Sequence, residues 1–279
     1  MRNSGERRRR KTPNVATGIS AVVLIGFVLI ALLPFLFMAV TSIQRTTMIT
    51  VVFDPAKFTL DNYVRVFADG GFGMALLTSV IVVTLACLVN AIVCSLAAYA
   101  FAKKPFPGSE VLFWVYIATM MVPGQVTLIP LFTMMRELGL LNSYLSLFLP
   151  IINAFGVFLI RQFMETIPDE MIEAARIDGA TEMQIFSRII LPSIRPAIIA
   201  LTVFTFLTTW NDFLWPLVSI TNEEMQTVTL AVANLQGRYL TDFGLVMAGA
   251  TVSFLVPLVM YLILQRQFVE GITSSSVKG

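Results

Sequence analysis

Six stretches of this chain are long and apolar enough to belong in hydrocarbon rather than in water. They cover about residues 16–40, 75–101, 111–135, 144–163, 197–220 and 243–264. Each is near or above the roughly 20 residues that a helix needs to cross a bilayer. Inside a membrane every backbone donor and acceptor must be satisfied internally, and a helix does this within one segment. The pattern predicts an all-α membrane protein with six transmembrane helices. The first run reaches about 37 Å at 1.5 Å per residue, too long for the core of a signal peptide, so it reads as an uncleaved span. The third is the least regular, because Pro123, Gly124 and Pro130 sit within it. Such breaks either kink a helix or place irregular backbone against a cavity.

Charged residues make up only 13% of the chain, against about a quarter in soluble domains, so where they lie is informative. With the amino terminus inside, fourteen Lys and Arg fall on the inner side and five on the outer side. That asymmetry follows the positive-inside rule and places both termini and the loop at 161–196 in the cytoplasm. The expected organisation is a basic cytoplasmic tail (1–15), a six-helix transmembrane body (16–265) and a cytoplasmic carboxyl tail (266–279). The five positives from Arg7 to Lys11 abut a hydrophobic span and read as a topological anchor, with no nucleic-acid partner expected.

Several chemistries are excluded. There is no histidine, the commonest general base and metal ligand. No Gly-x-x-x-x-Gly-Lys-[Ser/Thr] occurs, so the chain cannot cradle ATP phosphates in that manner. No serine–histidine or cysteine–histidine pair exists for nucleophilic catalysis, and no span contains paired acids. The expectation is a non-enzyme that binds no cofactor or metal. Cys87 and Cys94 lie two helical turns apart, too far to bond to each other, and read as small buried hydrophobes.

The longest organised polar segment runs from Arg161 to Pro196. It holds six of the seventeen acids, Glu165, Asp169, Glu170, Glu173, Asp178 and Glu182, and four arginines. Thr166 with Asp169 is a capping-box-like start, with Pro168 in the first turn. Gly179 is the cheapest residue for a left-handed stop. Thr181 with Gln184 starts a second helix whose Met183, Phe186, Ile189 and Ile190 share a face, and Pro192 is expected to end it. The segment reads as two short helices joined at a glycine and held at the membrane surface.

One ionisable residue lies deep in a run. Asp212 falls about 24 Å along the helix from Pro196 at 1.5 Å per residue. On a continuous helix Thr202, Thr205, Thr209 and Asp212 would share one polar face, flanked by Thr208 and Trp215. With Asn211, such a stripe suits a hydroxyl-rich solute, the indole offering an apolar face to a sugar ring. Threonines also bond their own helix, and an aspartate can be a structural partner between spans. Thr205, Thr209, Asn211, Asp212 and Trp215 are the candidate pathway residues.

The order Glu173-Ala174-Ala175, then Asp178-Gly179-Ala180, Phe186 and Ile189-x-Leu191-Pro192 resembles the EAA loop of membrane subunits of binding-protein-dependent ABC importers. The filler is similar to the carbohydrate-uptake, maltose-permease branch, as are Thr59-Leu-Asp-Asn-Tyr63, Trp210-Asn-Asp-Phe-Leu-Trp-Pro216 and the tail at 265–271. The tail departs at Ser274, Ser275 and Ser276, where small Ala and Gly residues are usual. The resemblance implies a type I importer permease of the bacterial cytoplasmic (inner) membrane. It also implies separate ATP-binding subunits that hydrolyse ATP, a second related permease subunit and an extracytoplasmic solute-binding protein. Glu173, Ala174, Ala175, Asp178, Gly179, Leu191 and Pro192 would form the ATPase-coupling element. Glu173 would supply charge, the alanines close approach and Gly179 the turn. The expected cargo is a sugar or related polyol. Alternatives are an ABC permease for glycerophosphodiesters, peptides or amino acids, and an ion-coupled secondary transporter using Asp212. A phosphate-bearing cargo would favour a mid-span Arg or Lys, and this chain has none.

Overall fold

The computed structural model describes residues 15–47, 55–68, 71–238 and 242–276. The basic tail up to residue 14 lies outside them, as do the side chains from 266 onward. Among the described residues the architecture is helical, and the one β contact is an isolated antiparallel bridge between Gln44 and Phe58.

Three helices cross the whole bundle without a break. They are α1 (Val15–Ser42), α3 (Phe72–Lys103), which follows the short α2 (Asp61–Ala68), and α14 (Phe243–Ser276). Each is long and apolar enough to span a membrane. The helix in α14 runs on through most of the stretch expected to be a separate tail.

The remaining apolar runs are broken helices. α4 (Ser109–Ala118) and α5 (Gly124–Glu137) meet at 104°. The corner is Val122–Pro123, both extended, because the residue before a proline resists helical geometry. Pro130, by contrast, sits inside α5. α6 (Tyr144–Phe148) with its 3-10 extension to Ile151 meets α7 (Ala154–Glu165) at 47°. There Asn153 caps α7 by accepting from the Gly156 N–H at 3.2 Å.

After α8 (Asp169–Ile177) come α9 (Glu182–Ile185), a π-helical turn Phe186–Ile190 and α10 (Leu191–Ser193), followed by α11 (Arg195–Trp210). The helix does not stop at Pro192 as expected. In the wide π turn the Leu191 N–H reaches back to the Phe186 carbonyl, and Pro192 then occupies a first helical turn, where its missing N–H is tolerated. The chain bends instead at Ile194, by 73°. The π turn also rotates the buried face: Ile185, Phe186 and Ile190 are buried, whereas Met183 is 69% exposed. α12 (Leu214–Ser219) and α13 (Val228–Arg238) complete the chain before α14.

α3 is the central post, packed along its length by α7 and α11. Where the three cross, Gly156 of α7 abuts Cys94 of α3 and Leu201 of α11. One core cluster surrounds the end of α3 nearest Lys103 and includes Tyr99, Ile160, Ile172, Ile185 and Ile194. A second surrounds its opposite end, with Val66, Phe72, Trp210, Val228 and Leu245. There the Asn62 amide donates to the carbonyls of Ser42 and Gln44, both at 2.9 Å, and Arg65 pairs with Asp242 at 2.7 Å. Gly244 packs so tightly against this knot that a Cβ would meet the Gln44 oxygen at 2.1 Å. Most of α1 turns Val22, Phe27, Ile30 and their neighbours outward, a surface made for lipid or another hydrophobic helix.

Candidate coupling loop and polar stripe

The start of α8 differs from the expected capping box. Thr166 does not cap α8; its hydroxyl donates to the Phe163 carbonyl and closes α7. Pro168, extended at φ −61°, precedes the first turn of α8 without a side-chain cap. Asp169 and Glu170 in that turn complement the positive helix end. Lys103 is buried at its side chain and donates from Nζ to the Ile167 carbonyl at 2.6 Å and to Asp169 at 2.7 Å. The start of α8 is thereby tied to the end of α3.

The end of α8 is a Schellman turn. The N–H of Ala180 reaches the Ala175 carbonyl and that of Gly179 the Arg176 carbonyl, both at 3.0 Å, with Gly179 at φ +83°. A full capping box follows: the Gln184 N–H donates to Thr181 Oγ1 at 3.3 Å and the Thr181 N–H to Gln184 Oε1 at 2.8 Å.

Glu182, in the first turn of α9, is a junction that sequence reading overlooked. Its Oε1 receives Lys104 Nζ at 2.6 Å and Arg176 Nε at 3.0 Å, and its Oε2 receives the Tyr99 hydroxyl at 3.0 Å. Chiefly because Lys104 donates to it, with Tyr99 and Arg176 adding, the carboxyl is held down at about 2.

Of the residues expected to contact an ATPase, Glu173, Ala174, Asp178, Gly179 and Pro192 are exposed, whereas Ala175 and Leu191 are half-buried. Ile172 is the one buried side chain of α8. Its outer face carries Met171 and Ile177, exposed at 46% and 86% beside Ala174. The signal was the spacing 171, 174, 177–178, which forms a helix face opposite Ile172.

The polar stripe resolves differently. α11 stops at Trp210, so Asp212 is not on its face. Asp212 sits in the turn to α12, where its Oδ1 accepts from the Trp215 N–H at 3.3 Å. Asn211 is exposed and donates back to the Leu207 carbonyl. Trp215 is buried, its indole N–H donating to the Ser146 carbonyl at 2.7 Å. Thr205 is buried against α3 and accepts from the Asn90 amide at 2.9 Å. Thr209 is buried too, its hydroxyl without a partner among the described residues. These five side chains do not share one open wall. A cavity of about 490 Å³ lies alongside, between α3, α11 and α14, with an apolar lining that includes Val80, Thr84, Cys87, Thr202, Phe206 and Trp210.

Residues 91–274 match the family described as binding-protein-dependent transport system inner membrane component. The chain is 33% identical to the arabinooligosaccharides transport system permease protein AraQ of Halalkalibacterium halodurans, over 97% of this chain and 100% of that one. It is 34% identical to the lactose transport system permease protein LacG of Rhizobium radiobacter, over 96% and 97%. Among solved structures it is similar to a chain of a bacterial ABC transporter that imports the acidic polysaccharide alginate. That match has a TM-score of 0.77 and 25% identity, and covers 95% of this chain and 99% of that one.

Proposed function

The chain belongs to the family of inner membrane components of binding-protein-dependent transport systems, and from that membership we propose how it works and what it carries. It is a permease subunit of an ABC importer and not an enzyme. It pairs with a second, related permease subunit, and ATP is hydrolysed by separate subunits that dock on α8. A solute-binding protein delivers cargo on the opposite side of a bacterial cytoplasmic membrane, with both termini of this chain in the cytoplasm.

The carrying observation is the form of the loop. α8 is short and packs on the bundle through Ile172, presenting Glu173, Ala174, Ile177 and Asp178 outward. It is closed by a left-handed Gly179 and followed by a second, independently capped helix. Small and apolar residues allow a cleft on a partner to close on it, and Glu173 and Asp178 supply anionic contacts for donors there. A displacement of α8 by the ATPase then reorients the spans. The cargo we infer is a sugar, in the size range of a disaccharide or short oligosaccharide, because relatives similar over nearly the whole chain carry names of that kind.

The test is reconstitution of the whole complex in vesicles with its binding protein, supplying ATP inside. Radiolabelled lactose, arabino-oligosaccharides, α-glucosides and glycerol phosphate are offered as alternative cargoes. ATP-dependent uptake of a saccharide, lost in Glu173→Lys with membrane insertion intact, is the expected result. Uptake without ATPase subunits, or at the parent rate in Glu173→Lys, would refute the coupling assignment. Selective uptake of glycerol phosphate would move the cargo to another class.

A further inference from the structure

α8 is held to the membrane body by very little. Ile172 is its one buried side chain, with Ala175 half-buried beside it, and among the other helices α8 packs chiefly against α9. Among the described residues, both ion pairs made by α8 lead to the last turn of α3 and the residue just past it. At its start Asp169 meets Lys103 Nζ at 2.7 Å. At its end Arg176 Nε meets Glu182 at 3.0 Å, and that carboxylate is gripped in turn by Lys104 and Tyr99 at 2.6 and 3.0 Å.

The covalent routes out of α8 are poorer levers. Toward α11 the chain passes a π turn and a 73° bend at Ile194. Toward α7 it passes Ile167–Pro168, where Pro168 is extended rather than helical. α3, by contrast, is 32 residues long, proline-free and continuous. It packs against both α7 and α11. At its far end Ser79 Oγ accepts the Val228 N–H at 2.7 Å, so a shift entering at Lys103 reaches the opposite side of the bundle.

We propose that Glu182 is a positioning residue of the transport cycle, the link that makes α3 the rod through which displacement of α8 enters the membrane. The proposal rests on the coupling reading above and names the element that receives the motion. Exposed ion pairs taken singly contribute little. Glu182 differs because one carboxylate joins three elements at once, so losing it frees the end of α8 from α3, leaving the Asp169–Lys103 contact at its start, without removing any residue of the outer docking face.

The experiment uses the complete importer in lipid nanodiscs, with Cys87 and Cys94 replaced by alanine. One nitroxide pair, Glu170→Cys with Leu36→Cys, reports α8 against α1 from a position outside the named docking residues. A second, Leu77→Cys with Leu36→Cys, reports the far end of α3. Distances are measured by pulsed electron resonance before and after trapping with magnesium, ATP and vanadate. In the parent both pairs shift on trapping. In Glu182→Ala, and in Glu182→Gln, which keeps the side-chain volume, the α8 pair still shifts while the α3 pair keeps less than half its shift. The same α3 shift in the variants as in the parent overturns the proposal, and so does loss of both shifts together, which would mark Glu182 as a mere support of α8. If neither pair shifts in the parent, the coupling reading itself fails.

Discussion

Gly156 on α7 backs directly onto Cys94 of α3: an added Cβ would stand 2.6 Å from Cys94 Sγ and 3.1 Å from Leu201 Cδ1 on α11. The three helices that surround the centre of the bundle therefore meet at a point with no room for one methyl group. Gly156→Ala should destabilise the subunit by about 1–3 kcal/mol, the usual cost of overpacking a filled interior. Adding Cys94→Ala removes the nearest obstructing atom, and the pair should recover more than half of the loss, a non-additivity expected of residues in contact. Thermal unfolding of the detergent-solubilised complex, followed by size-exclusion profile, measures both. Additive losses in the double variant would mean that the strain is relieved elsewhere.

At Gly179 the constraint is conformational and not spatial. Its φ is +83°, yet a Cβ there would meet nothing within 4 Å. A β-branched residue such as Val pays the full left-handed penalty, about 1–2 kcal/mol, whereas Asn adopts this region far more readily. Uptake should therefore follow the order Gly, Asn, Val, with Gly179→Asn retaining most activity. If Asn and Val are equally defective, a partner surface must be reading the missing side chain directly.

Thr205 separates two roles for the polar stripe. Its hydroxyl accepts the buried Asn90 amide at 2.9 Å, and Asn90 in turn accepts from Cys94 at 3.1 Å. Thr205→Val keeps the shape and strands a buried donor, which costs about 1–3 kcal/mol. We expect a lower unfolding temperature with KM for cargo unchanged. A raised KM at unchanged stability would place Thr205 against the cargo.

The parts of this site that were legible in the sequence are those set by backbone chemistry within a few residues. Gly179 and the Thr181–Gln184 box are of this kind, since a left-handed turn and an orphan helix N–H have few residue solutions. The end of α11 was not legible, because the apolar run continues through Trp210, Phe213 and Leu214 and hydropathy does not register a turn. Asp212 read as the deep end of a polar face, yet its carboxylate accepts the Trp215 N–H in the first turn of the next helix. Met183 was placed on the buried face by a 3.6-residue period that the π turn at Phe186–Ile190 interrupts. The grip of Tyr99 and Lys104 on Glu182 joins residues 83 positions apart in one case, and nothing local in either stretch announces it.

The same grip gives the loop a pH signature with a definite sign. Glu182 is lowered from an ordinary 4.5 to about 2 by Lys104 first, then by the Tyr99 hydroxyl and Arg176. A depressed carboxyl stabilises the folded arrangement fully above its ordinary value, and that contribution is lost as pH falls toward the folded value. The groups facing it from α3 and α8 are Lys104, Tyr99 and Arg176. A nitroxide at Met183→Cys, whose parent side chain is 69% exposed next to Glu182, should stay motionally restricted at pH 5 and loosen as pH drops below about 4. In a Glu182→Gln background the label should already be mobile at pH 5 and change little on acidification. If the label in the parent shows no transition in that window, or if the Gln variant shows the same one, the carboxylate is not what holds α9 to α3.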